Sequence, residues 1–184
     1  MAVGGFQACD AFVAAREGGL SLDQADAGNW WTPREGAPPI LIGTNRGISA
    51  PVLAQWLGGA VTIGEMSRLS AADAARIRHD RYWVPAGCEQ IPAGLDLMLY
   101  DDAVNRGVSS AVLMLQHCAA VKLDAVVGPI TLAAIGNWTP AQFTCKMLVV
   151  QAGRYYDDSR FDAFGKGWLA RLGARLMAAV EMLK

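Results

Sequence analysis

Glycine and proline punctuate this chain at intervals that suit helices and leave little room for long strands. The first predicted helix runs from about Phe6 to Glu17 and stops at Gly18-Gly19, a pair suited to a left-handed C-terminal cap. From Leu20 to Ser49 the chain is loop-rich, with Pro33, Pro38 and Pro39, and Pro39 to Ile42 is its best candidate for a short strand. Ser49 before Ala50-Pro51 caps a helix that ends at Gly58-Gly59. Another helix is predicted from Ser70 to about Trp83, opened by an imperfect capping box of Ser70 and Asp73. Val84 to Pro92 reads as a connection, which divides the chain into residues 1–90 and residues 91–184, packed as one globular unit. Beyond Gly94 nearly everything reads as helix: about Leu95 to Arg106, a helix capped by Ser109, and Pro129 to Gly136. Thr139-Pro140 with Gln142 then opens a helix to about Tyr156, and the last covers roughly Gly167 to Leu183. The expected fold class is mostly α.

Composition narrows the function. The 184 residues, 53% of them hydrophobic, suffice for a packed core. Sixteen basic and 17 acidic residues give a net charge of −1, without the basic surplus that drives nucleic-acid binding. Neutral or zwitterionic partners such as glycans fit that balance. Cys9, Cys88, Cys118 and Cys145 are scattered, show no zinc-site spacing, and read as buried free thiols. Only two histidines, His79 and His117, are available, so neither a metal cluster nor a Ser/His/Asp hydrolase is supported. No stretch approaches the apolar length of a membrane span, so no stable membrane association is expected. The N-terminus lacks a basic region and Asp10 interrupts its apolar segment, so no signal peptide is expected either.

Glu17 stands out from the residues alone. At about 100° per residue, Phe6, Val13 and Glu17 share one stripe of the first predicted helix. Its carboxyl then continues the face that meets the core. Partial burial and the negative end of the helix dipole both favour a protonated carboxyl, the form a general acid needs. The bland alternative is a boundary carboxylate that solvates a helix end. Two glycines directly after it let a substrate approach the backbone.

The segment Glu17-Gly18-Gly19-Leu20-Ser21-Leu22-Asp23-Gln24-Ala25-Asp26-Ala27-Gly28 resembles the catalytic opening of glycoside hydrolase family 108. Thr44-Asn45-Arg46-Gly47-Ile48-Ser49 resembles the closing element of that opening. The order Glu17, Asp26, Thr44 is also similar to the catalytic arrangement of phage-type lysozymes. The resemblance implies Glu17 as acid, Asp26 as the carboxylate that orients water, and Thr44 as the hydroxyl that holds it. A glycosidic oxygen leaves readily only when protonated, and a second carboxylate activates water or steadies the oxocarbenium charge. The family's Asp-Pro-Gly-Gly turn is here Asp26-Ala27-Gly28-Asn29, and a longer stretch from Trp30 to Gly43 replaces its short link to threonine. Thr32 therefore competes with Thr44, and Asp23 either substitutes for Asp26 or pins the turn. Trp30 and Trp31 in the insertion are either a sugar-stacking wall or buried loop anchors.

Tyr82-Trp83, Ile91-Pro92-Ala93-Gly94-Leu95 and Asp101-Asp102-Ala103-Val104-Asn105-Arg106-Gly107 follow the family's order. The resemblance puts Tyr82, Trp83 and Asn105 at the substrate, with Asn105 on an N-acetyl group or simply suited to a helix end. Asp124 to Leu132 resembles the turn of a predicted peptidoglycan-binding region, and Gly128-Pro129 favours a scaffold role for it.

The resemblance implies a lysozyme-like, orthogonal helical fold around a loop-rich active-site segment. It implies an endolysin-type N-acetylmuramidase that cleaves the β-1,4 bond between N-acetylmuramic acid and N-acetylglucosamine in peptidoglycan. The reaction needs neither metal nor organic cofactor, and a monomer is the expected form. Synthesis in a bacterial cytoplasm and action on the wall after release are expected. The rivals are a lytic transglycosylase and a non-catalytic protein that binds peptidoglycan or assists secretion.

Overall fold

The computed structural model describes residues 5–183. They are mostly helical, with two small two-stranded sheets, in keeping with the lysozyme-like class expected. The chain forms two compact units, one of Val13–Asp80 and one of the chain up to Phe12 together with the chain from Arg81 onward. The division expected from the sequence lies about ten residues later, near residue 90.

The Val13–Asp80 unit receives the end of α1 (Gly5–Ala14). This helix stops three residues before the predicted end, in a turn where the Val13 carbonyl accepts from both the Arg16 and the Glu17 amides, at 2.8 and 3.2 Å. Gly18 and Gly19 do not take the left-handed conformation predicted for them. Two hairpins follow. Strand β1 (Trp30–Trp31) pairs antiparallel with β2 (Ile40–Leu41), inside the segment predicted as strand. Strand β3 (Thr44–Asn45) pairs with β4 (Ile48–Ser49) through Arg46 and Gly47, both at positive φ, 53° and 74°. That two-residue geometry matches the twist of the strands, and glycine supplies half of it without strain.

Helix α2 (Ala50–Leu57) starts after Ser49 and ends at left-handed Gly58, as its punctuation predicts. Helix α3 (Ile63–Arg68) was not predicted, although Thr62 and Glu65 form a complete capping box. Helix α4 (Ala71–Arg78) is capped by Ser70 and runs into a π-helical turn, His79–Trp83. Ile48, Leu53, Met66 and Ile77 lie at the centre of this unit's core, with Trp31 and Trp56 packed against it.

The second unit is built on α5 (Leu95–Arg106), whose residues from Leu95 to Ala103 are all buried. Helices α6 (Val108–Ala119), α8 (Pro140–Tyr156) and α9 (Phe161–Met182) pack on it, and α7 (Pro129–Gly136) packs on α6. Gly107 rather than Ser109 caps α6. Helix α9 starts well before the predicted Gly167, and it runs through Gly165, Gly167 and Gly173 without a break; of these, Gly165 is a packing site, while Gly167 and Gly173 face open space. A Cβ at Gly165 would come within 2.5 Å of the Phe161 ring. Phe6, Trp83 and Tyr100 form an edge-to-face triad with centroids 5.4 to 5.9 Å apart. The Tyr100 hydroxyl donates to Asp10 at 2.7 Å.

A buried ionic network ties α9 to α5 and α8. Arg171 and Arg175 both donate to Asp101, at 2.7 and 3.1 Å, and Arg175 also donates to Gln151. Gln151 in turn donates to Asp102 at 2.6 Å. Burial pushes the Asp102 carboxyl above its ordinary range, against the pull of Arg175 and Arg106. Gln116, 1% exposed, holds the Asp124–Val126 turn through its side-chain amide, accepting from the Asp124 and Ala125 amides at 3.0 and 2.9 Å. The polar groups of that motif are thus engaged within the fold, as a scaffold requires. The four cysteines are free, with Cys9, Cys88 and Cys118 buried and Cys145 exposed. Burial raises the buried thiols, Cys118 to about 11, which keeps them protonated and unreactive.

Candidate active site

Glu17 lies just past the end of α1, half-buried, and not on the helix's last turn. Its neighbours come from the β3–β4 hairpin. A Cβ at Gly47 would lie 2.6 Å from Glu17 Oε2 and 2.8 Å from its carboxyl carbon. Only a residue without a side chain lets the acid rest against the hairpin turn there. The strand edges are stitched to the segment after Glu17. Ser21 and Thr44 exchange backbone hydrogen bonds at 2.8 and 3.0 Å, and the Arg46 amide donates to the Gly18 carbonyl at 3.1 Å. A Cβ at Gly18 or Gly19 would meet nothing within 4 Å, so the backbone beside the acid faces open space.

Asp26 stands exposed at the start of a 3-10 turn, Ala27–Asn29, and its Oδ1 accepts from the Gly28 amide at 2.8 Å. Around Gly28 the structure gathers Asp26, Thr44 and Ser49. A Cβ built there would lie 3.2 Å from Asp26 Oδ1, 3.5 Å from Ser49 Cβ and 3.8 Å from Thr44 Oγ1. Thr44 Oγ1 is buried and has no hydrogen-bond partner among the described residues. A hydroxyl that both donates and accepts, with neither capacity used, is unusual in a folded protein. One hairpin therefore meets Glu17 at its turn and Asp26 at its base.

Asp23 does what the turn-pinning reading supposes, accepting from the Ala25 amide at 2.9 Å. Thr32 is exposed and lies among the residues around the tryptophans, whereas Thr44 lies beside Asp26. Trp30 and Trp31 are half-buried. With Thr32, Gln55, Gly58 and Gly59 they line an open groove of about 740 Å³. Trp30 is fixed by its indole N–H, which donates to the Gln24 carbonyl at 3.0 Å, while Trp31 packs against the core. Both tryptophans thus line the groove while one is held by a hydrogen bond and the other packs on the core.

Tyr82, Trp83 and Asn105 belong to the other unit. Tyr82 is half-buried. Trp83 is 3% exposed and forms part of the aromatic triad, so the sugar contact expected of it gives way to a core role. Asn105 is exposed at the end of α5, where its Nδ2 donates to the Asp101 carbonyl at 2.6 Å.

Three supporting residues are not apparent from the sequence. Asn29, fully buried, accepts the Ile42 and Gly43 amides on its carbonyl at 2.9 Å and donates from its side chain to the Asp23 carbonyl at 2.8 Å. Asn45 donates to the Met66 carbonyl at 2.8 Å. Arg78, 2% exposed, donates to the Arg46 carbonyl at 2.8 Å and so holds the turn on which Glu17 rests. A buried arginine gives no local signal, since its partner lies 32 residues away.

Over residues 11–107 the chain matches the family described as Glycosyl hydrolase 108. Among solved structures it is similar to one titled "Structure of Brucella abortus SagA", with 28% identity and a TM-score of 0.84, covering 100% of this chain and 98% of that one. No curated protein matches it.

Proposed function

The chain belongs to the glycosyl hydrolase 108 family, and on that premise we propose that it cleaves the β-1,4 bond between N-acetylmuramic acid and N-acetylglucosamine in peptidoglycan. Family membership supports a glycoside hydrolase acting on the wall polymer. The finer reading rests on one observation: the β3–β4 hairpin meets Glu17 at Gly47 and brings Thr44 beside Asp26 at Gly28.

In this mechanism Glu17 protonates the leaving glycosidic oxygen, while Asp26 activates or orients the attacking water and Thr44 Oγ1 holds it. The unpartnered Thr44 hydroxyl supports that role, because a bound water would satisfy it. The groove beside Trp30 and Trp31 offers flat apolar faces for sugar rings. The endolysin role proposed here rests on the likeness of the Glu17, Asp26, Thr44 order to phage-type lysozymes.

Digestion of purified sacculi with mass spectrometry of the products tests the reading. Soluble fragments with reducing N-acetylmuramic acid ends are expected. Reducing N-acetylglucosamine ends would move the cut to the other bond, and anhydromuramyl ends would assign a lytic transglycosylase. Binding to sacculi without any release would overturn catalysis altogether.

The close approach at Gly47 yields a separate expectation. Gly47→Ala is expected to cost about 1–2 kcal/mol for its left-handed backbone. It should also slow lysis by about tenfold or more, because Glu17 must move away from the new methyl group. Thermal melting and a turbidity-clearing assay on the same variant check both.

A further inference from the structure

Asn105, Arg106, Tyr155, Asp158, Arg160, Trp168 and Arg171 line a partly enclosed pocket of about 210 Å³, and none of them belongs to the Val13–Asp80 unit. It is formed by the ends of α5 and α8 and the first half of α9. Two of its lining residues are aromatic. The Tyr155 and Trp168 rings lie 5.3 Å apart at a 38° tilt, with the Arg106 guanidinium 5.8 Å from the Tyr155 centroid and that of Arg160 5.5 Å from the Trp168 centroid. Guanidiniums held on rings are already ordered for a planar partner.

The charges do not balance. Asp158 answers Arg160 through two bonds of 2.9 and 2.8 Å, and Asp101 answers Arg171 through bonds of 3.1 and 2.7 Å. Arg106 lines the pocket and forms no ion pair among the described residues, although its charge reaches the Asp102 and Asp158 carboxyls without bonding either. One carboxylate would neutralise that excess, whereas a dianionic phosphoryl group would overshoot it. The remaining polar groups suit a peptide. Asn105 uses its Nδ2 on the Asp101 carbonyl, which leaves its amide oxygen to accept a ligand N–H. The Tyr155 hydroxyl accepts from Gln151 at 2.9 Å and retains its proton to donate. The volume is below that of a drug-sized site and suits a single amino-acid residue rather than a disaccharide.

We propose that this pocket binds the peptide stem of peptidoglycan through a free carboxylate paired with Arg106. Naming the stem as occupant rests on the wall-polymer reading above; the carboxylate chemistry does not.

Calorimetric titration of the full chain with the synthetic stem tripeptide L-Ala-γ-D-Glu-meso-diaminopimelate tests it. The tripeptide contains no glycosidic bond, so the result is independent of whether the protein hydrolyses glycan. Binding is expected, weakened about tenfold by Arg106→Gln and by about as much when the peptide's carboxylates are amidated. Lack of tripeptide binding, equal affinity for the amidated peptide, or full affinity in Arg106→Gln would each overturn the proposal. So would tighter binding of inorganic phosphate than of the tripeptide. The amidated peptide is read on the unsubstituted protein, so that comparison stands whatever the variant does to folding.

Discussion

Glu17→Gln is expected to slow wall lysis by about 10²- to 10⁴-fold, the usual contribution of a positioned general acid. Glutamine matches glutamate in shape and fits against Gly47 as the native side chain does, so the hairpin turn has no reason to shift. What is lost is the proton that the leaving oxygen takes. The side chain is only half-buried and its size is kept, so the melting temperature should barely change. Turbidity clearing of purified sacculi, read beside a melting curve, separates the two effects. Lysis within about threefold of the unsubstituted protein would remove Glu17 from the mechanism and with it the proposed chemistry. Loss of activity together with loss of fold would instead make Glu17 a structural residue.

Arg175→Met carries the largest expected cost to stability, about 3–5 kcal/mol, the range found when one partner of a buried ion pair is removed. Arg175 is 1% exposed and donates to Asp101, to Gln151 and, at 3.4 Å, to the Met98 carbonyl. Methionine fills much of the same volume, so the loss measures charge and hydrogen bonding more than a cavity. Asp101 would keep Arg171, while Gln151 would keep an unanswered amide oxygen in the interior.

The loss should depend on pH, with a sign set by Asp102. Its folded-state carboxyl is already raised above the unfolded value by burial, so its contribution favours the fold at low pH and fades as pH rises through the folded value. Arg175 is the largest of the influences that offset that burial. Without it the carboxyl rises further, and ionising it near neutrality costs more. The destabilisation should therefore be greatest near pH 7 and shrink as pH falls below the folded value. Denaturant unfolding followed at both ends of that range checks the magnitude and the slope. A loss below about 1 kcal/mol at pH 7 would mean that Arg171 alone satisfies the buried aspartates.

Much of the local structure is legible in the chain because its causes lie within a few residues. Helix α5 has the predicted bounds, since a helix-forming run between Gly94 and Gly107 needs only local information to start and stop. Pro129 and the Thr139–Gln142 capping box place α7 and α8 in the same way. The Thr62–Glu65 box carries the same kind of local signal for α3, a helix the sequence analysis does not predict. The end of α1 falls three residues short of its predicted position, because Gly18-Gly19 resembles a cap while the actual turn back forms at Val13.

The sequence by itself determined the helical class and most helix ends, and it carried the family resemblance that singles out Glu17, Asp26 and Thr44. It did not determine their neighbours. That Glu17 rests on Gly47, that Thr44 rather than Thr32 joins Asp26, and that Trp83 is enclosed by Phe6 and Tyr100 all follow from contacts between distant segments. Capping and turn chemistry act through hydrogen bonds a few residues long, so they leave a mark in order and spacing. Burial and close approach arise only when separate elements pack, and a side chain's exposure is set by whatever those elements bring against it.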